Sequence, residues 1–146
     1  SNMLKEIPNA EIFNCVIDSI NNGDAVQLRV RGNSMYPCLR EGDIVLLSPF
    51  EDAEIKPGVV VLFAYGESHL LHRVIFRKDD KLIIQGDNVF SHVEKVKMNN
   101  VIAVMKQYSK KNGKVISSDS CVWKLCLFRN RVRKQIKKII FTIKNI

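Results

Sequence analysis

From Val26 to Ile116 the chain carries its apolar residues in runs too short for helices. VQLRV (26–30) alternates apolar with polar, while DIVLL (43–47) and VVVLFA (59–64) are brief continuous apolar stretches. HLLHRVIF (69–76) and KLIIQ (81–85) flank RKDD, and VIAVMKQY (101–108) and KVI (114–116) flank SKKNG, two hairpin patterns. Gly, Pro, Asn and Asp bound nearly every run. Period-two or short apolar segments between such turn residues predict strands, joined mostly by hairpins. The expected fold class is therefore mainly β, a curled sheet or small β-barrel.

Two segments with a different period flank this body. In NAEIFNCVIDSIN (9–21), Ile12, Phe13, Val16, Ile17 and Ile20 recur at helical spacing and make one apolar face. In VWKLCLFRNRVRKQIKKIIFTIKNI, Leu125, Phe128, Val132, Ile136, Ile139, Ile140 and Ile143 step by three or four, with cations on the remaining faces. A polar break at Ser117–Ser120 separates this helix from the strands. The expected organisation is a domain over residues 3–118 and a basic amphipathic helix over 119–146, with Ser1 and Asn2 read as an expression remnant. At 146 residues and 46% hydrophobic, one domain with a real core is feasible. No apolar stretch reaches the length of a membrane span, and LKEIPNAEIF lacks the apolar centre of a secretory signal. These features predict a cytoplasmic or peripheral membrane location.

The formal charge of +8 is concentrated. Eight Lys and Arg lie between Lys124 and Lys144 with no Asp or Glu among them, and the remainder is close to balanced. Such a segment suits an acidic partner: nucleic acid, an acidic peptide or an anionic lipid surface. Its cations alternate with Ile, Val and Phe instead of stacking aromatics, which makes nucleic acid the poorer fit. The four cysteines, Cys15, Cys38, Cys121 and Cys126, have neither zinc-site spacing nor the density of a disulfide framework. They are expected to be mostly reduced thiols, with Cys38 a small packing residue. No metal or cofactor is called for.

RGNSMYPCLREGDIVLL (31–47) builds a tight turn around Ser34 at the mouth of a strand. A turn of Gly, Asn, Ser and Pro can be only a loop, but it can also present a nucleophile. A serine hydroxyl then needs a neighbouring base. Of the three histidines, His92 falls in DNVFSHVEK, read as a loop, and His69 and His72 fall in HLLHRVIF. Strand alternation puts Leu70, His72, Val74 and Phe76 on one face, so His72 is the polar member of an apolar row.

Four segments together resemble one family. GNSMYPCLREGDIVLL resembles the nucleophile box of signal peptidase I and of the LexA-type self-cleaving peptidases. KPGVVVLFAY is similar to the strand that follows it there, LLHRVI sits where the second catalytic box belongs, and IIQGDN resembles the Gly-Asp-Asn box. All four occur in family order and cover residues 26 to about 105. Most bacterial members carry a lysine in the second box; His72 makes this chain similar to the Ser-His subclass of signal peptidases.

The resemblance implies a catalytic set of Ser34, His72 and Asp87, with Asn33 and Met35 at the oxyanion and substrate-binding positions. Ser34 would attack the scissile carbonyl, and His72 would take its proton and return it to the leaving amine. Asp87 is the acid inside a matching box, though its carboxylate could equally fix a turn. Glu94 is the single acid in NVFSHVEKV, the stretch where the subclass carries a further aspartate. The implied function is cleavage of a signal or leader peptide. The alternatives are a catalytically silent binding module of the same fold and a nucleic-acid-associated protein.

Overall fold

A computed structural model describes residues 9–145; the reading of Ser1 and Asn2, and the start of the domain at residue 3, lie outside the described residues. The element order is α1 (Asn9–Asn21), β1 (Val26–Arg29), β2 (Ile44–Ser48), β3 (Val60–Tyr65), β4 (Ser68–Lys78), β5 (Lys81–Gln85), β6 (Glu94–Lys97), β7 (Val101–Ser109), β8 (Val115–Ser117) and α2 (Cys121–Lys144). Two single 3₁₀ turns, Asp52–Glu54 and Met98–Asn100, lie in the connections. The strands form one antiparallel eight-stranded sheet in the order β1-β2-β7-β3-β4-β5-β6, with β8 paired to β7. The path is open, so of the two predicted forms the sheet, and not the closed barrel, is present.

The apolar pattern accounts for the layers. Val60 and Leu62 of β3 enter one core with Val16 and Ile20 of α1, Leu47 of β2 and Met105 of β7. Val61 and Phe63, pointing the other way, enter a second core with Val74, Leu82, Ile84 and Val96. A central strand covered on both faces needs apolar residues at every position, which is why VVVLFA does not alternate. Strand β2 shows the half-covered case, its burial alternating along IVLLS. Helix α1 covers the first core with the predicted face, burying Val16 and Ile20 fully and Ile12, Phe13 and Ile17 in part.

Four sequence expectations are corrected. The register shifts between Val74 and Phe76, so Phe76 leaves the face of Leu70, His72 and Val74 and stands exposed. Such a bulge places one extra residue, Ile75, in the strand and reverses the alternation beyond it. The segment read as a loop, DNVFSHVEK, keeps His92 outside any strand, but its last two residues begin β6, paired with β5 through Leu82↔Val96 and Ile84↔Glu94. Cys38 and Cys126 are joined in a disulfide, while Cys15 and Cys121 are free and exposed. Cys38 is therefore not a simple packing thiol; it ties the turn after Ser34 to α2 across 88 residues of chain.

Helix α2 docks by an unexpected side. Its N-cap Ser120 accepts a bond from the Trp123 N–H at 3.2 Å, and Trp123 is buried against Tyr108, ring centroids 5.1 Å apart. Asn130 is also buried, and Arg133 and Lys134 reach into the loops of the β body. The predicted apolar stripe is not part of this contact. From this docking we predict that thiol titration in denaturant finds two reactive cysteines without reductant and four after reduction. Finding four without reductant would show the Cys38–Cys126 pair to be open.

Candidate active site

The loop 31–42 that carries Ser34 is pinched at its base. The Val30 N–H donates to the Asp43 carbonyl at 2.8 Å, and the Gly42 N–H to the Val30 carbonyl at 3.0 Å. Gly42 has φ 93°, a left-handed conformation that a side chain would strain. Asp43, buried, accepts from the Arg40 N–H and from Lys110 Nζ, both at 2.9 Å. The Gly42-Asp43 pair thus closes the loop. Within it, Tyr36 N–H donates to the Asn33 carbonyl and Leu39 N–H to the Met35 carbonyl, a coiled turn with Met35, Cys38 and Leu39 inward.

This turn brings Ser34 Oγ to 3.1 Å from His72 Nε2. The other ring nitrogen, Nδ1, lies 2.6 Å from Glu94 Oε1, and both partners are buried. A carboxylate acceptor fixes the proton on Nδ1 and leaves Nε2 as the acceptor facing the hydroxyl, the polarity a general base needs. The second oxygen of Glu94 is 3.6 Å from Nε2 of the exposed His92. Residues 38 and 22 positions apart in sequence so form one continuous chain of serine, imidazole and carboxylate.

Asp87 does not join that chain. Its carboxylate receives two bonds from Arg73, Nε at 2.8 Å and the terminal nitrogen at 2.7 Å, both groups buried. The bidentate pair turns the Asp87 carboxylate to Arg73; the residue that faces His72 is Glu94. The Asp87 N–H donates to Met35 Sδ at 3.4 Å, so the Met35 side chain is buried between the two loops while also lining the cleft. Asn33 is exposed beside Ser34.

Gly86 is where the turn 86–88 must have no side chain. A Cβ there would stand 2.7 Å from the Ser34 carbonyl oxygen and 3.0 Å from His72 Nε2. The Asn88 N–H donates to that same Ser34 carbonyl at 2.8 Å. Each position of Gly-Asp-Asn therefore has a separate duty: close approach, ion pairing with Arg73, and fastening of the Ser34 turn. Lys134 of α2 donates to Gln85 Oε1 and the Gly86 carbonyl at 2.6 and 3.0 Å. Burial pushes this lysine below its usual pKa, with Arg133 and Arg73 adding to the effect against the opposite pull of Asp87 and Glu94.

Ser34 and His72 open onto a cleft of about 220 Å³ whose walls include Ile12 and Phe13 of α1, Leu28, Val30 and Leu62. Phe13 stacks on His69, which helps seat α1 as one wall, with ring centroids 4.4 Å apart. The walls also carry Arg29, Arg31 and His69, so a hydroxyl and an imidazole stand beside a trough of mixed apolar and cationic lining, an arrangement chemically suited to acyl transfer.

A family model described as Peptidase S24-like matches residues 5–116. The chain belongs to that family. The match takes in α1 and all but the last residue of the sheet, and ends before α2. No curated protein and no solved structure matches the chain. Membership agrees with the mainly β fold and with the order of the four sequence boxes.

Sequence reasoning named Glu94 without giving it a role, and missed Arg73 and Gly86 as structural determinants. One signal for Glu94 was legible: EKVK alternates, so Glu94 and Val96 share a face, and an acid in an inward row needs a buried partner. Replacing Asp87 by Ala should leave Arg73 buried and unpaired. The expected loss is about 3–5 kcal/mol of unfolding free energy, measured by chemical denaturation. A loss below about 1 kcal/mol would show the pair to be dispensable.

Proposed function

We propose that the protein is a serine endopeptidase that cleaves a signal or leader peptide, with Ser34 as nucleophile, His72 as general base and Glu94 as the group that orients it. The observation that carries this reading is the Ser34 Oγ–His72 Nε2 distance of 3.1 Å, backed by the 2.6 Å contact of Glu94 on Nδ1. Ser34 Oγ attacks the scissile carbonyl while its proton passes to His72 Nε2. Collapse of the tetrahedral adduct breaks the C–N bond, and His72 returns the proton to the leaving amine. Water, deprotonated by the same nitrogen, then hydrolyses the Ser34 ester and frees the enzyme.

The backbone N–H of Ser34, with the Asn33 side chain, is the proposed donor set for the oxyanion. Glu94 does not touch substrate in this scheme; it acts through the imidazole. The apolar walls of the cleft, Ile12, Phe13, Leu28 and Leu62, suit uncharged substrate side chains, while Arg29 and Arg31 in the same lining suit an acidic or carbonyl group. A strand-like substrate also fits, because an extended peptide can lie along the open end of a β body.

Incubation with a peptide library, read by mass spectrometry, should give products with the wild-type chain and lose them by on the order of 10³-fold or more with Ser34→Ala. Binding of library peptides without cleavage would favour the catalytically silent module instead. Glu94→Gln should lower kcat by roughly 10²- to 10⁴-fold with little change in KM, because it leaves the trough intact and disturbs only the imidazole. An unchanged rate in His72→Ala would assign the base elsewhere.

A further inference from the structure

The C-terminal helix is amphipathic in the reverse sense to a docked helix. Leu125, Phe128, Val132, Ile136, Ile139 and Ile143 are between 41% and 62% exposed, whereas the residues turned to the β body are Trp123, Asn130, Arg133 and Lys134. At 3.6 residues per turn the two sets lie on nearly opposite sides of the helix. The body-facing side is held by specific polar contacts: Arg133 donates to the carbonyls of Tyr36 and Asp87 at 3.1 and 2.8 Å, and Lys134 to Gln85 and Gly86. The disulfide from Cys126 to Cys38 fixes the same orientation. The stripe is therefore presented outward by construction. From Gln135 to Lys144 every residue is exposed.

The charges say what covers it. Lys124, Arg131 and Lys138 run along one flank of the stripe, Arg129 and Lys144 along the other, and α2 contains no Asp or Glu. A protein groove for such a helix would need both an apolar floor and acids on both rims. An anionic bilayer supplies acyl chains under the stripe and phosphates at both flanks at once, and the long cationic side chains can rise from the apolar zone to the headgroups.

We infer that α2 lies in the interface of an anionic membrane, with the stripe from Leu125 to Ile143 among the acyl chains and the flanking cations on the headgroups. The loops that flank Ser34 are fastened to the opposite side of the same helix. Those loops then stand about one helix diameter, roughly 10–12 Å, from the headgroup layer. This inference is independent of the peptidase reading, and its failure leaves Ser34 and His72 as they stand.

Deleting α2 would also remove Trp123 and the Cys38–Cys126 bond from the first core, so point variants of the full chain are the proper test. The probes are vesicles of phosphatidylcholine alone and of phosphatidylcholine with about a third phosphatidylserine, at roughly 0.1 and 1 M salt, where screening differs severalfold. The wild-type chain should float with the anionic vesicles at low salt, and at least tenfold less with neutral ones or at high salt. A triple variant, Phe128→Ser, Ile136→Ser and Ile139→Ser, changes only exposed side chains; it should keep the wild-type melting temperature and lose flotation. Equal recovery of this variant would overturn the inference by reducing the binding to charge adsorption. Absence of flotation under every condition, or a wild-type dimer in sedimentation that the triple variant abolishes without any vesicle binding, would overturn it as well.

Discussion

The buried pair of Arg73 and Asp87 holds together the parts on which the candidate site depends. Besides its two bonds to Asp87, Arg73 donates to the Gly58 carbonyl at 2.7 Å, and its guanidinium lies 4.8 Å from the centre of the Trp123 ring. One side chain thus joins β4, the turn leading into β3, the Gly86–Asn88 turn and the first turns of α2. The cost of taking a guanidinium out of water is severalfold larger than one hydrogen bond returns, so the site is sound only with every partner in place. Arginine suits this position because its donors form a fixed planar fork and its face can lie on an aromatic ring; a lysine could serve as neither.

Much of the fold was legible because its signals are local. Strand periods, turn residues and the apolar face of α1 depend on neighbours within a few positions, and the helix over 9–21 agrees with the sequence to the residue. Ser34 and His72 were legible for a different reason: their boxes carry rigid turn chemistry that leaves a pattern. What stayed hidden depends on distant partners. The Cys38–Cys126 bond spans 88 residues, and the bulge at Ile75 follows from the pairing of β4 with β5. Asp87 and Glu94 are both acids near a histidine in sequence, and only the register of β6 tells which one faces it. The outward stripe of α2 belongs to the same class, because periodicity identifies a face without saying what it meets.

The Gly-Asp-Asn turn shows how sheet alternation separates chemistry from support. His72 pairs with Val61, whose side chain enters the second core, and Arg73 pairs with Val60, which enters the first. Consecutive residues of β4 therefore point to opposite faces. The turn after β5 continues the division: Gly86 stands beside His72 Nε2, and Asp87 reaches Arg73 on the other side. The proposed reacting groups and the ion pair that braces them occupy two faces of the same two strands. A one-residue slip of β4 against β5 would exchange the faces and destroy both at once.

Glu94 completes this division from one strand further away. It sits on β6, separated from β4 by β5, and pairs with Ile84, which itself pairs with Val74. His72 lies two residues further along β4 from Val74, so the carboxylate must extend diagonally across the end of β5 to reach Nδ1. Adjacent strands stand about 4.8 Å apart, which makes this reach close to two strand spacings. A longer acid is favoured over aspartate by that span. Gly86, at the other edge of the ring, admits two groups to one place: the Ser34 turn and the Nε2 side of the imidazole.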